Sequence, residues 1–392
     1  MDPRSGGPCE GIRNVIPELE SWGITHEVVC TDWLNAGYSN NDPFKTYAIG
    51  SKNPNCYFKK NLIPWLREHI PNYSLIVVHT LWGYHTYAVR KVVEQLKKEG
   101  KANHTKYYIM AHGMLDPYFQ IAKHRRLKAI RNIIYWELVE RKVINQAEGV
   151  LFTCEAERQL ARLPFRKYNP KKEINVGYGI YAPPAKSDHC SEVFLGKIKK
   201  TNNSVNYILF LSRINIKKGV DLLVEAYAKI LASSDIHTIP DLVIAGPDID
   251  SEFGAKILNR VKSDDKLNSK IHFPGMLTGD AKWGAFYGCE AFILPSHQEN
   301  FGVAVVEALA CKKVVLITNK INIHKEIEND KAGMVESDDE IGIYSLLDKW
   351  LKLDDKEKNK MSGNTFDCFQ KHFTIKNAAL QLKKLYEESL VA

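Results

Sequence analysis

"AFILPSHQENFGVAVVEALAC", residues 291–311, changes its period halfway along. The opening "AFILPS" is a near-continuous apolar run, the pattern of a strand covered on both faces of a parallel sheet. After the polar "HQEN" the apolar residues resume as Phe-Gly-Val-Ala-Val-Val-Glu-Ala-Leu-Ala-Cys, which reads as a helix over 302–311, buried nearly all round. Glu307 stands in that helix with Val303, Ala304, Ala310 and Cys311 as its same-face neighbours. A buried carboxylate is costly unless something pairs with it. A second acid, Glu299, lies eight residues earlier, just before the helix. Both acids need partners.

The strand-then-helix alternation extends in both directions. In the first half "HEVVC" (26–30), "SLIVVH" (74–79), "KYYIMAH" (106–112) and "GVLFTC" (149–154) read as strands, with helices over 10–22, 84–99 and 117–145. In the second half "YILFLS" (207–212), "DLVIAG" (241–246), "KIHFPG" (270–275), "AFILPS" (291–296) and "VVLIT" (314–318) alternate with helices near 219–232, 252–264, 278–288 and 302–311. Apolar strands joined by helical crossovers imply parallel sheets, and the pattern occurs twice. An α/β fold of two doubly wound, Rossmann-like domains is therefore expected. The domains are placed at 1–185 and 205–370, divided by the Pro-, Ser-, Asn- and Lys-rich stretch 181–204, which lacks periodicity. Residues 34–60 read as an irregular surface excursion. The tail 371–392 reads as an amphipathic helix with Ile375, Ala378, Leu382, Leu385 and Tyr386 on one side, able to pack back on the N-terminal domain. Such sheets bind ligands at the carboxyl ends of their strands, so the expected site is a cleft between two facing domains.

Composition narrows the function. The 392 residues are 44% hydrophobic and 26% charged, and no run approaches the roughly 18 apolar residues of a membrane span. The eight cysteines are scattered with no CxxC pair, which argues against a zinc site or a disulfide framework. Met1 is followed by Asp-Pro-Arg-Ser-Gly-Gly-Pro, unlike a secretory leader, so a cytoplasmic location is expected. A formal net charge of +8 favours anionic partners. Nucleic acid is not expected, because no aromatic-and-basic RNA signature or zinc finger appears.

"FLSRINIKKGVDLLVEA" (210–226) passes from a strand through a basic loop into a helix. Arg213 falls just past the strand, and Lys218-Gly219 marks the helix entry. Two cations and free backbone donors there suit a diphosphate; the competing reading is a solvated basic turn. Asn300 and Gly302 sit at a helix start, where the dipole also favours an anion. A buried Glu307 beside a diphosphate suits a ribose diol, which a carboxylate can accept twice; the competing reading is a structural acid satisfied within the protein.

With these residues in view, "ENFGVAVVE" (299–307) resembles the E-x7-E signature of family 4 retaining glycosyltransferases, which have the two-domain GT-B fold. "SGGP" (5–8), "AHGMLDP" (111–117), "SRINIKKG" (212–219), "AGPD" (245–248), "FPGML" (273–277) and "NIHKEI" (322–327) stand where that family has its marks. The chain is similar to bacterial enzymes of exopolysaccharide or cell-surface glycan assembly. By that resemblance Glu307 would bind the nucleotide ribose, while Glu299 and the backbone of Asn300, Phe301 and Gly302 would hold the sugar hydroxyls. Arg213 and Lys218 would neutralise the departing diphosphate. Gly6 and Gly7 would let the backbone approach the phosphate, Met276 and Leu277 would edge the base, and His112 would face the sugar and acceptor. The donor would be a nucleotide-diphosphate sugar, UDP or GDP left open, with no separate cofactor and no metal. Asp248-Ile249-Asp250 has the D-x-D form that holds manganese in other glycosyltransferases; here it reads as a turn and helix cap. Lys312 and Val314 replace the family's usual Gly and Pro after the helix. If the helix ends in a left-handed residue at 312, lysine costs about 1 kcal/mol there. "NVGYG" (175–179) replaces a usual Pro-Asn-Gly turn.

The expected activity is retaining transfer of a hexose to a glycan or lipid-linked acceptor. Alternatives are a sugar-nucleotide epimerase on the same fold, which would convert free donor without acceptor, and a non-catalytic sugar-nucleotide-binding protein. "HTLWGYH" (79–85) offers His79, Trp82, Tyr84 and His85 to an acceptor or to packing. In "KHRRLKAIRNIIYWELVERK" (123–142), Arg125, Arg126, Lys128 and Arg131 combine with Ile130, Ile133, Ile134 and Trp136. Such a helix can rest on the anionic inner face of a membrane, or can be a core helix with a solvated basic face. Finally, only Met1-Asp2-Pro3-Arg4-Ser5 precedes Gly6, too little for the family's opening strand, so the first domain is expected to be the less stable one.

Overall fold

A computed structural model describes residues 1–2, 7–33, 37–38, 41–50, 60–122, 125–198 and 206–391. Among them are the strands β1 (Glu27–Trp33), β2 (Lys45–Gly50), β3 (Leu75–His79), β4 (Lys106–Met110), β5 (Gly149–Phe152), β6 (Glu173–Asn175), β7 (Tyr207–Leu211), β8 (Asp241–Ala245), β9 (Ile271–His272), β10 (Ala291–Leu294), β11 (Val314–Thr318) and β12 (Gly333–Glu336). The chain divides into two compact units, Met1–Gly179 together with Ile375–Ala392, and Ile180–Thr374.

In the first unit β3, β4, β5 and β6 form a parallel sheet in that order, and β1 and β2 form a separate parallel pair. Successive side chains of β4 point to opposite faces, as strand geometry requires. Tyr107 and Ile109 join Val92, Leu96 and Trp136 on one face, while Tyr108 and Met110 join Leu151, Val176 and Leu385 on the other. Leu385 comes from the helix Ile375–Val391, which therefore supplies one cover of this sheet. Two sequence readings change here. The excursion 34–60 contains β2, paired in parallel with β1 with a register shift between Cys30 and Trp33. The helix expected over 117–145 is broken into Tyr118–Ile121, Arg126–Tyr135, a π-turn at Trp136–Glu140 and Arg141–Gln146.

The second unit is a six-stranded parallel sheet in the order β9-β8-β7-β10-β11-β12. Counted from β7 this is 3-2-1-4-5-6, the doubly wound order, with a switch point between β7 and β10. Every residue of β8, β10 and β11 is buried, as their unbroken apolar runs require. β9 spans two residues instead of the expected six because Pro274 has no N–H to donate and Gly275 turns left-handed at φ +75°. The stretch 181–204, read as aperiodic, contains the helix Asp188–Lys197. The Ser187 hydroxyl caps it, accepting from the Cys190 N–H at 3.2 Å, and Phe194 packs on Tyr207. Lys312 does end its helix left-handed, at φ +60°.

Candidate functional site

The crossovers that leave β7 and β10 run to opposite sides, and the loops after these two strands meet at the switch point. Gly219, at φ +66°, makes that meeting close: a Cβ there would lie 2.1 Å from the Pro295 carbonyl oxygen. The His297 N–H donates to the Lys217 carbonyl at 2.8 Å and ties the two loops together. Lys218 and Glu299 thereby face each other as an ion pair whose side chains are only 12% and 14% exposed. Burial, reinforced by the neighbouring Lys217 and Arg213 cations, brings the Lys218 ammonium down to about 7. Arg213 itself is exposed.

The loops after β8 and β9 stack beside that after β7. A Cβ on Gly246 would sit 1.8 Å from the Ser212 carbonyl oxygen, and the Gly246 N–H donates to Gly275 at 2.9 Å. This places Met276 in the open, 66% exposed, whereas Leu277 turns into the core. Glu299 is fixed from the other side by the loop after β11. Its N–H donates to the Lys320 carbonyl at 3.0 Å, and its own carbonyl accepts from Asn322 at 3.0 Å. Asn300 accepts from the Asn322 amide at 3.4 Å, and Phe301 packs edge-on against Phe373. Gly302 takes φ +76° as the N-cap of the helix Val303–Ala310.

That helix is not buried all round, which corrects the sequence reading. Val305, Val306, Ala308 and Leu309 are sealed, whereas Val303 and Ala304 are partly exposed and the Glu307 side chain is 13% exposed. Glu307 holds Lys282 at 2.8 Å, and the Lys282 ammonium lies 4.1 Å over the Trp283 ring. Of the D-x-D residues, Asp248 and Asp250 are exposed, Asp248 at φ +73°. The helix cap expected of them is supplied by Ser251, which accepts from Gly254 at 3.0 Å.

In the first unit the ends of β3 and β4 carry a histidine cluster. His79 Nδ1 lies 2.9 Å from His112 Nε2, and His85 Nε2 lies 3.0 Å from the His79 carbonyl. Burial, with His85 acting on His79 and His79 on His112, lowers His79 to about 4 and His112 well below its ordinary value. Thr80, Trp82 and His112 are all left-handed, at φ +69°, +64° and +50°, a concentration of backbone strain outside glycine. Two buried acids hold these loops. Glu157 accepts from the N–H groups of Gly113 and Thr153, the latter at 2.7 Å, and Glu140 accepts from Trp82 N–H and Thr86 Oγ1, each at 2.8 Å. Burial raises Glu140 to about 7. Trp82 packs on Phe165 and Tyr84 on Tyr87. Gly6 lies outside the described residues. Gly7 opens the helix Gly7–Glu20 with nothing nearer than 4.0 Å to a Cβ, whereas a Cβ on Gly11 would collide with the Tyr178 ring at 2.5 Å.

Residues 195–366, which carry the Lys218–Glu299 and Lys282–Glu307 pairs, match the model of the family described as glycosyl transferases group 1. The match spans less than half of the chain and shows a similarity of this segment to the group 1 glycosyl transferases. An uncharacterized glycosyltransferase of Methanocaldococcus jannaschii is 27% identical over 184 residues, 47% of this chain and 48% of that protein. The serotype-specific mannosyltransferase WbdA of Escherichia coli is 25% identical over 178 residues, 45% of this chain but 21% of its own length. The chain thus spans about half, or less, of the curated relatives it matches. Solved GT-B structures match nearly its whole length: HepE of Anabaena, in complex with UDP-glucose, has a TM-score of 0.68 at 14% identity, covering 98% of this chain and 96% of that one. The fold is GT-B.

Within residues 195–366, sequence reasoning singled out Glu299 and Glu307 but not the partner of Glu307. Lys282 lies 25 positions upstream in "GDAKWGAFYG", whose contacts only the fold can specify. Glu157 was more accessible to reasoning, since an acid in the first turn of a helix after a strand commonly holds backbone N–H groups. Glu140 carries no such signal.

Proposed function

We propose that the chain is a retaining glycosyltransferase that moves a hexose from a nucleotide-diphosphate donor to a glycan or lipid-linked acceptor. The observation that carries this reading is the pairing of Lys218 with Glu299 at the switch point, with Glu307 and exposed Arg213 in the same unit. In the reaction, the bond between the sugar's anomeric carbon and the diphosphate oxygen breaks, and negative charge grows on that oxygen. Lys218 and Arg213 stabilise it electrostatically. An acceptor hydroxyl forms its bond to the anomeric carbon on the face the diphosphate leaves, and gives its proton to the departing oxygen, so configuration is retained.

In this reading the lysines hold the places of the substrate. The donor's diphosphate draws Lys218 from Glu299, which is then free to accept from sugar hydroxyls. The ribose diol takes the position of the Lys282 ammonium on Glu307. Met276 edges the base. His112, neutral at physiological pH, offers one hydrogen bond to a sugar hydroxyl, with Glu157 fixing its loop through Gly113. The side-chain cations occupy the role a metal ion has in D-x-D enzymes. The M. jannaschii and E. coli relatives are named as transferases and the Anabaena neighbour holds UDP-glucose, which supports a nucleotide-sugar donor and leaves uracil and guanine both to be assayed.

The test is a thermal-shift panel of UDP, GDP and their hexoses, followed by product analysis. A donor at 100 times its dissociation constant raises stability by about 2.7 kcal/mol. Release of nucleotide diphosphate that depends on an added acceptor is the expected result. Conversion of the sugar without acceptor points to an epimerase, and binding without any turnover to a sugar-nucleotide-binding protein.

A further inference from the structure

We infer that the helical stretch 125–138, together with Ile121, is a docking surface for an anionic lipid bilayer. Among the described residues, six of the thirteen exposed large apolar side chains fall in this one segment: Ile121, Leu127, Ile130, Ile133, Ile134 and Leu138. Leu127 and Leu138 are 85% and 71% exposed. Leu127, Ile130 and Ile134 are spaced i, i+3 and i+7, so they form one ridge. The opposite face is already used: Ala129 and Asn132 are buried, and Trp136 stacks on Phe165 at 4.7 Å. Trp136, grouped with the isoleucines in the sequence reading, therefore belongs to the core, and the isoleucines do not.

Charge chooses the occupant. Arg126, Lys128 and Arg131 are exposed beside the ridge, and no carboxylate pairs with any of them among the described residues. The acid on the same stretch, Glu137, is engaged by Arg141 at 3.0 Å. Arg125 drops out of the set, because its guanidinium rests 4.8 Å over the Phe119 ring. An apolar ridge flanked by free cations fits a helix lying in the headgroup region with its ridge among the acyl chains. A second copy of the chain fits poorly: a two-fold interface would bring the same three cations against themselves. No helix among the described residues is long and apolar enough to cross a membrane, so the contact is peripheral. The inference stands on this helix alone and does not rest on the transfer reading.

The test is cosedimentation of the full chain with phosphatidylcholine vesicles, with and without phosphatidylglycerol, at low and high salt and with no donor present. Binding is expected only to the anionic vesicles and should fall as salt screens it. The triple reversal R126E/K128E/R131E should weaken it roughly 100-fold. L127S/I134S should weaken it about tenfold or more without lowering the melting temperature, since both side chains are exposed. Equal binding to neutral and anionic vesicles, or none to either, overturns the inference. A concentration-dependent dimer that L127S/I134S disperses, with vesicles ignored, would assign the ridge to a second copy instead.

Discussion

At the sheet edge of the second unit two lysines each hold a glutamate, while at the sheet edge of the first unit two histidines hold each other. The first arrangement keeps opposite charges side by side under partial cover. The second removes charge: burial leaves His79 and His112 neutral and raises Glu140. Paired charges can be exchanged for those of a ligand. Neutral imidazoles fixed by strained backbone have nothing to exchange and serve as positioned, uncharged hydrogen-bonding groups. In the proposed reading, charge stabilisation falls to the second unit and orientation to the first.

The largest effect that would break this contrast is at Lys218 and Glu299. Lys218→Met or Glu299→Gln should each reduce initial-rate transfer by about 100-fold or more. Each single change also leaves a largely buried partner alone, at a cost of about 3 kcal/mol in chemical unfolding. The double variant should recover most of that stability and none of the rate. Recovery of rate with stability would make the pair a structural strut.

Next comes Glu307. Glu307→Gln should raise the donor dissociation constant about tenfold, because a carboxylate's hydrogen bonds to the ribose are lost. Lys282→Met should change it less than about threefold if that ammonium only holds the ribose's place. Calorimetric titration of both variants decides, and equal losses would make Lys282 itself a donor-binding group.

Protonation sharpens the contrast further. Lys218 sits near 7 in the empty protein, and an arriving diphosphate must raise it. Donor binding above pH 7 should therefore take up about one proton, and affinity should fall as pH rises. Calorimetry in buffers of different ionisation heat reads this directly. The histidines behave in the opposite sense. Their folded values lie below the ordinary 6.5, so the unfolded chain binds more protons as pH falls. Stability should be flat above about pH 6.5 and drop between there and about pH 4. A melting profile unchanged across that window would show that the imidazoles are solvated. The smallest effect is expected at the D-x-D turn: excess EDTA and Asp250→Ala should both leave transfer within about twofold, if the cations do the work of a metal.

The second unit was legible in the sequence because its strands are buried on both faces and therefore apolar throughout. Residues 291–311 yielded a strand, a loop and a helix at once, and Gly219, Gly246 and Gly302 stand where close approach or a left-handed turn demands them. What failed did so for identifiable reasons. β2 lies in a polar stretch with weak periodicity, and the helix Asp188–Lys197 has an apolar set too small to show a stripe. The break near 122 and the π-turn follow an otherwise continuous helical pattern that local propensity does not interrupt. Glu307 is covered as its apolar same-face neighbours predict, its side chain 13% exposed, and what spacing leaves out is the cation that holds it. Pairing with Lys282 is a tertiary fact, without a counterpart in spacing.

The helix Ile375–Val391 has a consequence for synthesis. It covers Tyr108, Met110, Leu151 and Val176 with Leu382 and Leu385, yet it is made after the whole of the second unit. At about 5–20 residues per second, the ribosome needs roughly 10–40 s to go from Gly179 to Val391. Throughout that interval the unit translated first lacks one cover of its sheet, while the unit translated second can close as soon as it emerges. The half of the molecule that begins folding is thus the half that finishes last, and its apolar sheet face is what a chaperone would meet on the nascent chain.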